Sequence, residues 1–230
     1  MCRNRQLIVA MVALFACAGA AMGQTRPTTR APYTPLRWEK DIAAYEAKDR
    51  EHAPGKGGIL FTGASTIRMW KSLEQDFPDR PVLNRGFGGS MVADATFFAE
   101  RIIFPYEPKQ IFLRAGGNDI HIGRSVDQVF KDYKEFVATV RAKLPDAQIV
   151  YISMSPAPAR WEERDKNKQL NGMIEEYSKQ MPGLKYCDVY DMTLTPQGEA
   201  REELFIADKL HFNADGYKLL AERVRPFLAK

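Results

Sequence analysis

The sequence predicts an α/β domain with a mostly parallel sheet and helices on both faces. Three observations carry this. Five short apolar runs are continuous rather than alternating, as strands buried on both faces are. Amphipathic segments long enough for right-handed crossovers separate most of them. The chain has 230 residues and is 45% hydrophobic, enough for one sizeable core.

The expected strands are GILFTG (58–63), PVLNRG (81–86), QIFLRAGG (110–117), AQIVYIS (147–153) and LKYCDVY (184–190). The expected helices between and after them are STIRMWKSLEQDF (65–77), MVADATFFAERIIF (91–104), VDQVFKDYKEFVATVRAKL (126–144), EERDKNKQLNGMIEEYSKQM (162–181) and ADGYKLLAERVRPFL (214–228). Ahead of the first strand, WEKDIAAYEAKDR spaces Trp38, Ile42 and Tyr45 as an amphipathic helix does, and APGKGG ends it. In FFAERIIFPYEP, Phe97, Phe98, Ile102, Ile103 and Phe104 read as a buried helix face rather than a lipid-docking surface. No internal repeat and no second domain is visible.

Residues 1–23 read as a signal peptide. A basic start, MCRNRQ, precedes an apolar stretch shorter than the ~20 residues a membrane span needs, and AMG supplies small residues for cleavage. Cleavage after Gly23 implies export to the periplasm or beyond. LFAC, ending at Cys17, offers a lipoprotein box and hence a lipid anchor as the alternative. Residues 24–37 form a proline-rich tether, and residues 38–230 the folded domain. With Cys2 and Cys17 in the leader, Cys187 is the one cysteine left, so no internal disulfide is expected, and its strand-like setting suggests a buried, inert thiol. The net charge of +4 falls to +2 without Arg3 and Arg5. No basic stripe interleaved with aromatics accompanies it, which argues against a nucleic-acid partner. The sequence assigns no oligomeric state.

Ligands of parallel α/β sheets sit at the carboxyl ends of the strands. Four polar or glycine-rich clusters fall there: Gly63-Ala64-Ser65-Thr66, Asn84 to Ser90, Gly116-Gly117-Asn118-Asp119, and Asp208 to His211. Ser65 stands between a strand and a helix, where it either caps the helix or serves as a nucleophile. A serine hydroxyl needs a base. Of three histidines, His52 precedes the first strand, His121 has no acid at a comparable spacing beyond Asp119, and His211 follows Asp208 by three residues. Asp208 can fix the imidazole tautomer and stabilise the imidazolium, although a simple turn is the bland alternative. GFGGS and Asn118 could supply oxyanion donors, or be only turns. Neither a Walker lysine nor the dinucleotide glycine spacing is present.

FTGAST, NRGFGGS, GGND and DKLH together resemble the four blocks of the GDSL/SGNH hydrolase superfamily, in the subgroup similar to platelet-activating-factor acetylhydrolase and lysophospholipase-like esterases. The likeness runs from about Trp38 to Phe227. It implies a three-layer α/β/α sandwich on a central five-stranded sheet, the flavodoxin-like SGNH hydrolase fold, with no metal or organic cofactor. It implies Ser65 as nucleophile, Gly89 (or Gly88) and Asn118 as oxyanion donors, and Asp208 with His211 as the rest of a triad. Two departures are visible: the acid usual before the nucleophile is Ala64, and Lys209 stands where glycine is common.

The expected activity is therefore that of an exported serine esterase acting on small-molecule, glycan or lipid esters with a short, acetyl-type acyl group. Acyl transfer to a sugar and ligand binding without turnover are the alternatives. Arg114 either meets an anionic substrate group or pairs with a structural carboxylate, the latter being favoured. Arg160 and Trp161 could wall the pocket, with Trp161 equally suited to core or lid.

Overall fold

The computed structural model describes residues 33–229. The leader expected over 1–23, Cys17 and most of the tether lie outside the described residues. The compact unit begins at Thr34. Thr34 caps a short 3-10 helix, Pro35–Trp38, by accepting from the Leu36 N–H.

Five strands, β1 (Ile59–Gly63), β2 (Val82–Gly86), β3 (Gln110–Arg114), β4 (Gln148–Ile152) and β5 (Leu184–Cys187), form one fully parallel sheet in the order β2-β1-β3-β4-β5. β1, β3 and nearly all of β4 are buried along their length, as their unbroken apolar runs require. The edge strands are less covered, and β5 turns Lys185 to solvent.

The sheet separates two apolar layers by strand alternation. On one side Leu60, Ile111, Leu113, Ile149 and Tyr151 pack against α1 (Glu39–Glu51), α4 (Val92–Phe97), α5 (Ala99–Ile102), α7 (Val126–Lys143) and α8 (Arg164–Gln180). On the other, Ile59, Phe61, Phe112, Val150 and Ile152 meet α2 (Ser65–Arg68), α3 (Leu73–Asp76) and α9 (Ala214–Val224). A short helix, α6 (Gly117–His121), follows β3 at the rim. The three-layer α/β/α arrangement is the one expected. Cys187 is buried, its thiol pushed up to about 12 by burial, and it faces the Arg223 carbonyl.

Two expected helices are broken, each for a local reason. Residues 65–77 split into α2 and α3 because Trp70 turns inward. Its indole N–H (2.6 Å) and the Ser72 hydroxyl (2.7 Å) both donate to Asp76 Oδ2, which closes a turn instead of continuing the helix. Residues 91–104 split at Phe98, which packs edge-on against Phe87. That break leaves Phe97 55% exposed while Phe98, Ile102 and Ile103 are buried, so the buried face is narrower than expected. Among the described residues no helix is long and apolar enough to cross a membrane.

The strand order places a topological switch between β1 and β3. The chain leaves β1 toward β2 on one side and takes β3 to β5 on the other, opening a crevice at the carboxyl ends. Phe61 holds this junction from below, stacked on Phe112 with centroids 4.4 Å apart and fully buried. Phe61→Ala is expected to lower the unfolding free energy by about 3–5 kcal/mol, measured by urea denaturation.

Candidate active site

β1 ends at Gly63 with φ +127°, a conformation that suits glycine. A Cβ there would overlap the Arg114 backbone. Freed of that obstacle, the chain turns sharply, the Ala64 N–H bonds the Arg114 carbonyl (3.0 Å), and α2 starts at Ser65. The helix cap is Ala64, with no side-chain cap bond. Ser65 is thus not the cap of its helix. Its N–H is one of the first-turn donors that a helix leaves without an internal acceptor.

The Ser65 hydroxyl lies 2.9 Å from His211 Nε2, and His211 Nδ1 lies 2.6 Å from Asp208 Oδ2. The other Asp208 oxygen accepts from the backbone N–H groups of Leu210 and His211 (2.9 and 3.0 Å). Burial would raise the Asp208 carboxyl, but the His211 ring and these two amides outweigh it and hold it down to about 2. Asp208 is therefore an acceptor for the ring at any pH where the protein works, which makes Nδ1 the protonated nitrogen and leaves Nε2 to accept. The loop makes this geometry with Lys209 at φ +54°, the left-handed region that glycine adopts at little cost. An antiparallel bridge, Phe205↔Phe212, closes the loop just beyond His211.

Asn118, on α6, donates from Nδ2 to the Ser90 carbonyl (2.9 Å) and accepts at Oδ1 from Arg160 Nη1 (3.0 Å). An amide carries two N–H donors, so one remains for a ligand. Gly89 has φ +76° and a Cβ there would sit 3.1 Å from the Trp38 ring. A Cβ on Gly88 would meet the Arg68 guanidinium at 2.6 Å. A side chain at Gly89 would be strained by its φ and would crowd Trp38, whereas at Gly88 the obstacle is only the far end of the flexible Arg68 side chain. A cavity of about 70 Å³ joins Ser65, Asn118 and His211 to Arg114 and Arg160; Gly88 and Gly89 are not in its lining.

Asp119, next to Asn118, is fully buried, and burial raises its carboxyl to about 7 against the opposing pull of Arg124. It accepts from the Val92 N–H (3.4 Å), a second tie between the GGND segment and the chain that follows GFGGS.

His121 Nδ1 lies 2.6 Å from Glu163, an acid far away in sequence and so invisible to spacing. Two expectations need correction. Among the described residues Arg114 pairs with no carboxylate; its guanidinium donates to the Ser153 carbonyl and, at 2.9 Å, to the Ser155 hydroxyl. Trp161 belongs to neither core nor cavity: it is partly exposed and carries the Arg164 guanidinium 5.0 Å above its ring. The contact of Arg160 with Asn118 went unforeseen, because no spacing in the sequence signals it.

Residues 53–219 match the model of the GDSL-like Lipase/Acylhydrolase family. The chain belongs to this family. Its members hydrolyse carboxylic esters, and this chain is accordingly a carboxylic ester hydrolase. No curated protein matches the GDSL-like chain in sequence. Among solved structures it is similar to a protein of Streptococcus pneumonia provisionally described as a platelet activating factor (20% identity, 84% of this chain, 94% of that one, TM-score 0.74). It is also similar to a GDSL-like lipase of Bacteroides thetaiotaomicron (17%, 81% and 96%, 0.68) and to an acetyl xylan esterase, AlAXEase (14%, 74% and 99%, 0.62). At these identities the likeness establishes the three-layer GDSL-like fold.

Proposed function

We propose that the chain is an exported serine esterase for short-chain carboxylic esters, working through Ser65, His211 and Asp208. The observation that carries this reading is the unbroken relay from Asp208 Oδ2 through both ring nitrogens of His211 to the Ser65 hydroxyl, with links of 2.6 and 2.9 Å. His211 Nε2 takes the Ser65 proton as Oγ attacks the ester carbonyl. The resulting oxyanion is met by the spare Asn118 amide proton and the Ser65 N–H; Gly89, outside the cavity lining, is the further donor that the family resemblance implies. His211 then gives its proton to the departing alcohol and an acyl-Ser65 ester remains. Water, deprotonated by His211, attacks that ester. The carboxylic acid leaves and the Ser65 hydroxyl is restored.

The cavity size supports a short acyl group. A water needs roughly 10–15 Å³ measured with the same probe, so about 70 Å³ holds an acetyl or slightly longer chain. The acetyl xylan esterase among the structural neighbours is consistent with an acetyl-sized pocket. Export rests on the leader-like residues 1–23.

A fluorophosphonate probe is expected to label the wild type and not Ser65→Ala, read by mass spectrometry. Hydrolysis of p-nitrophenyl esters should fall steadily from acetate to octanoate. A folded wild type that never labels would make the site a binding module instead.

Asn118→Ala should reduce kcat by about 10²–10³, with a smaller effect on KM, in steady-state kinetics. A loss confined to KM would remove Asn118 from the oxyanion site.

Because Asp208 stays ionised down to about 2, its own protonation should not set the acid limb of kcat/KM. Asp119 is the competing acid, raised to about 7. Asp119→Asn is expected to keep the limb; its disappearance in that variant would reassign the titration.

A further inference from the structure

Among the described residues two arginines are almost wholly buried, Arg85 and Arg114, each 5% exposed. The charge of Arg85 is met by Asp49 at 2.5 Å. Arg114 has no acidic partner among the described residues; its two acceptors, the Ser153 carbonyl and the Ser155 hydroxyl, are neutral. A guanidinium has five N–H donors, so three are left over, and Nε is sealed from solvent without an acceptor. Burial draws the group down to about 10, still fully cationic near neutrality. A buried charge without a counter-charge is costly, and such charges are ordinarily paired.

Arg114 lines the cavity that holds Ser65. So does Arg160, half-buried, whose one side-chain acceptor is the neutral Asn118 Oδ1. The acid in the same lining, Glu163, is engaged by His121 at 2.6 Å. Glu163 also acts on Arg160 through space, but the two form no ion pair. Two guanidinium groups that form no ion pair among the described residues therefore face about 70 Å³ of space beside the serine.

The depth of Arg114 decides which part of a substrate reaches it. Its backbone pairs with Gly63, two residues before Ser65, and its carbonyl holds the Ala64 N–H. It sits in the floor beneath the serine. His211 and Asp208, with side chains 21% and 44% exposed, mark the open mouth where the alcohol must leave. We infer that the Arg114–Arg160 end of the cavity binds a carboxylate at the far end of a short acyl chain, so that the favoured substrates are half-esters of short dicarboxylic acids. This rests on the reading of Ser65 as nucleophile.

The test compares ethyl hydrogen succinate with ethyl pentanoate, following released acid by pH-stat at constant ionic strength. The wild type is expected to favour the half-ester at least about tenfold in kcat/KM, the scale of one charge-assisted hydrogen bond. The ratio should fall toward one in Arg114→Gln. Should that variant not fold, Arg160→Gln, in the more exposed cavity wall, should lower the ratio several-fold. A wild-type ratio of one or below, with ethyl pentanoate hydrolysed, overturns the inference and leaves the serine mechanism standing. Acetoxyacetate against propyl acetate asks the same question of the alcohol side; a preference there overturns the acyl assignment. If no ester is turned over, the serine reading fails, and calorimetry decides the anion site separately. Succinate is expected to bind Ser65→Ala stoichiometrically and not the Ser65→Ala, Arg114→Gln double variant. Absence of binding to Ser65→Ala overturns the inference.

Discussion

At the end of β1 the backbone passes so close to the Arg114 carbonyl that a residue with a Cβ could not stand at position 63. The rest of the site depends on this contact. It lets β1 and β3 keep their parallel pairing to the last residue, Gly63 opposite Arg114, and then lets the chain turn abruptly. The turn sends Ser65 over the rim at the switch point, with its N–H pointing out of a helix start. The Gly63 carbonyl meanwhile accepts from the Phe87 N–H at 2.9 Å, so the same residue fixes the start of GFGGS. One glycine thereby sets the mutual position of two of the four segments.

The other two segments are braced to these from above. Tyr217, on the helix that follows His211, donates to the Thr66 carbonyl at 2.9 Å and packs against Trp70. Serine and histidine, 146 residues apart in sequence, are thus joined by a second link besides their own hydrogen bond. Asn118 is tied to Ser90 on one side and Arg160 on the other. A hydrogen-bond relay of 2.6 and 2.9 Å costs little further ordering when its members are fixed in this way.

The sheet was legible because its strands are buried on both faces, which writes an unbroken apolar run into the sequence at β1, β3 and β4. The long helices α7, α8 and α9 were legible from their periodicity. The short helices were not. Their breaks come from tertiary events, such as Trp70 turning to Asp76, that leave no mark on a local pattern. Ser65, Asn118, Asp208 and His211 could be read as candidates because each follows a strand or precedes a helix on the same rim. Lys209 was marked as unusual, and it does occupy a left-handed backbone position. The partners of Arg114, His121 and Asn118 could not be read. Each lies more than 25 residues away, and charge alone does not say whether an arginine will find an acid or a carbonyl.

Arg85 and Arg114 show what that ambiguity means physically. Both are strand residues with the same small exposure. Arg85 lies at the edge, on β2, where α1 brings Asp49 to it and Tyr106 adds its hydroxyl; its charge ties a helix to the sheet. Arg114 lies centrally, at the switch point, and no helix delivers an acid to it. Its neutral acceptors offset only part of the desolvation, and the Phe212 ring, 5.9 Å away, adds a weak attraction at most. Were Arg114 there only to pack, an uncharged residue of similar volume would be less costly at that depth. The free energy lost by burying it is recovered only when negative charge enters the cavity, as an oxyanion or as part of a substrate. A fold that accepts that loss beside its proposed nucleophile is organised for an anion that Glu163, held by His121 in the same lining, does not supply to Arg114.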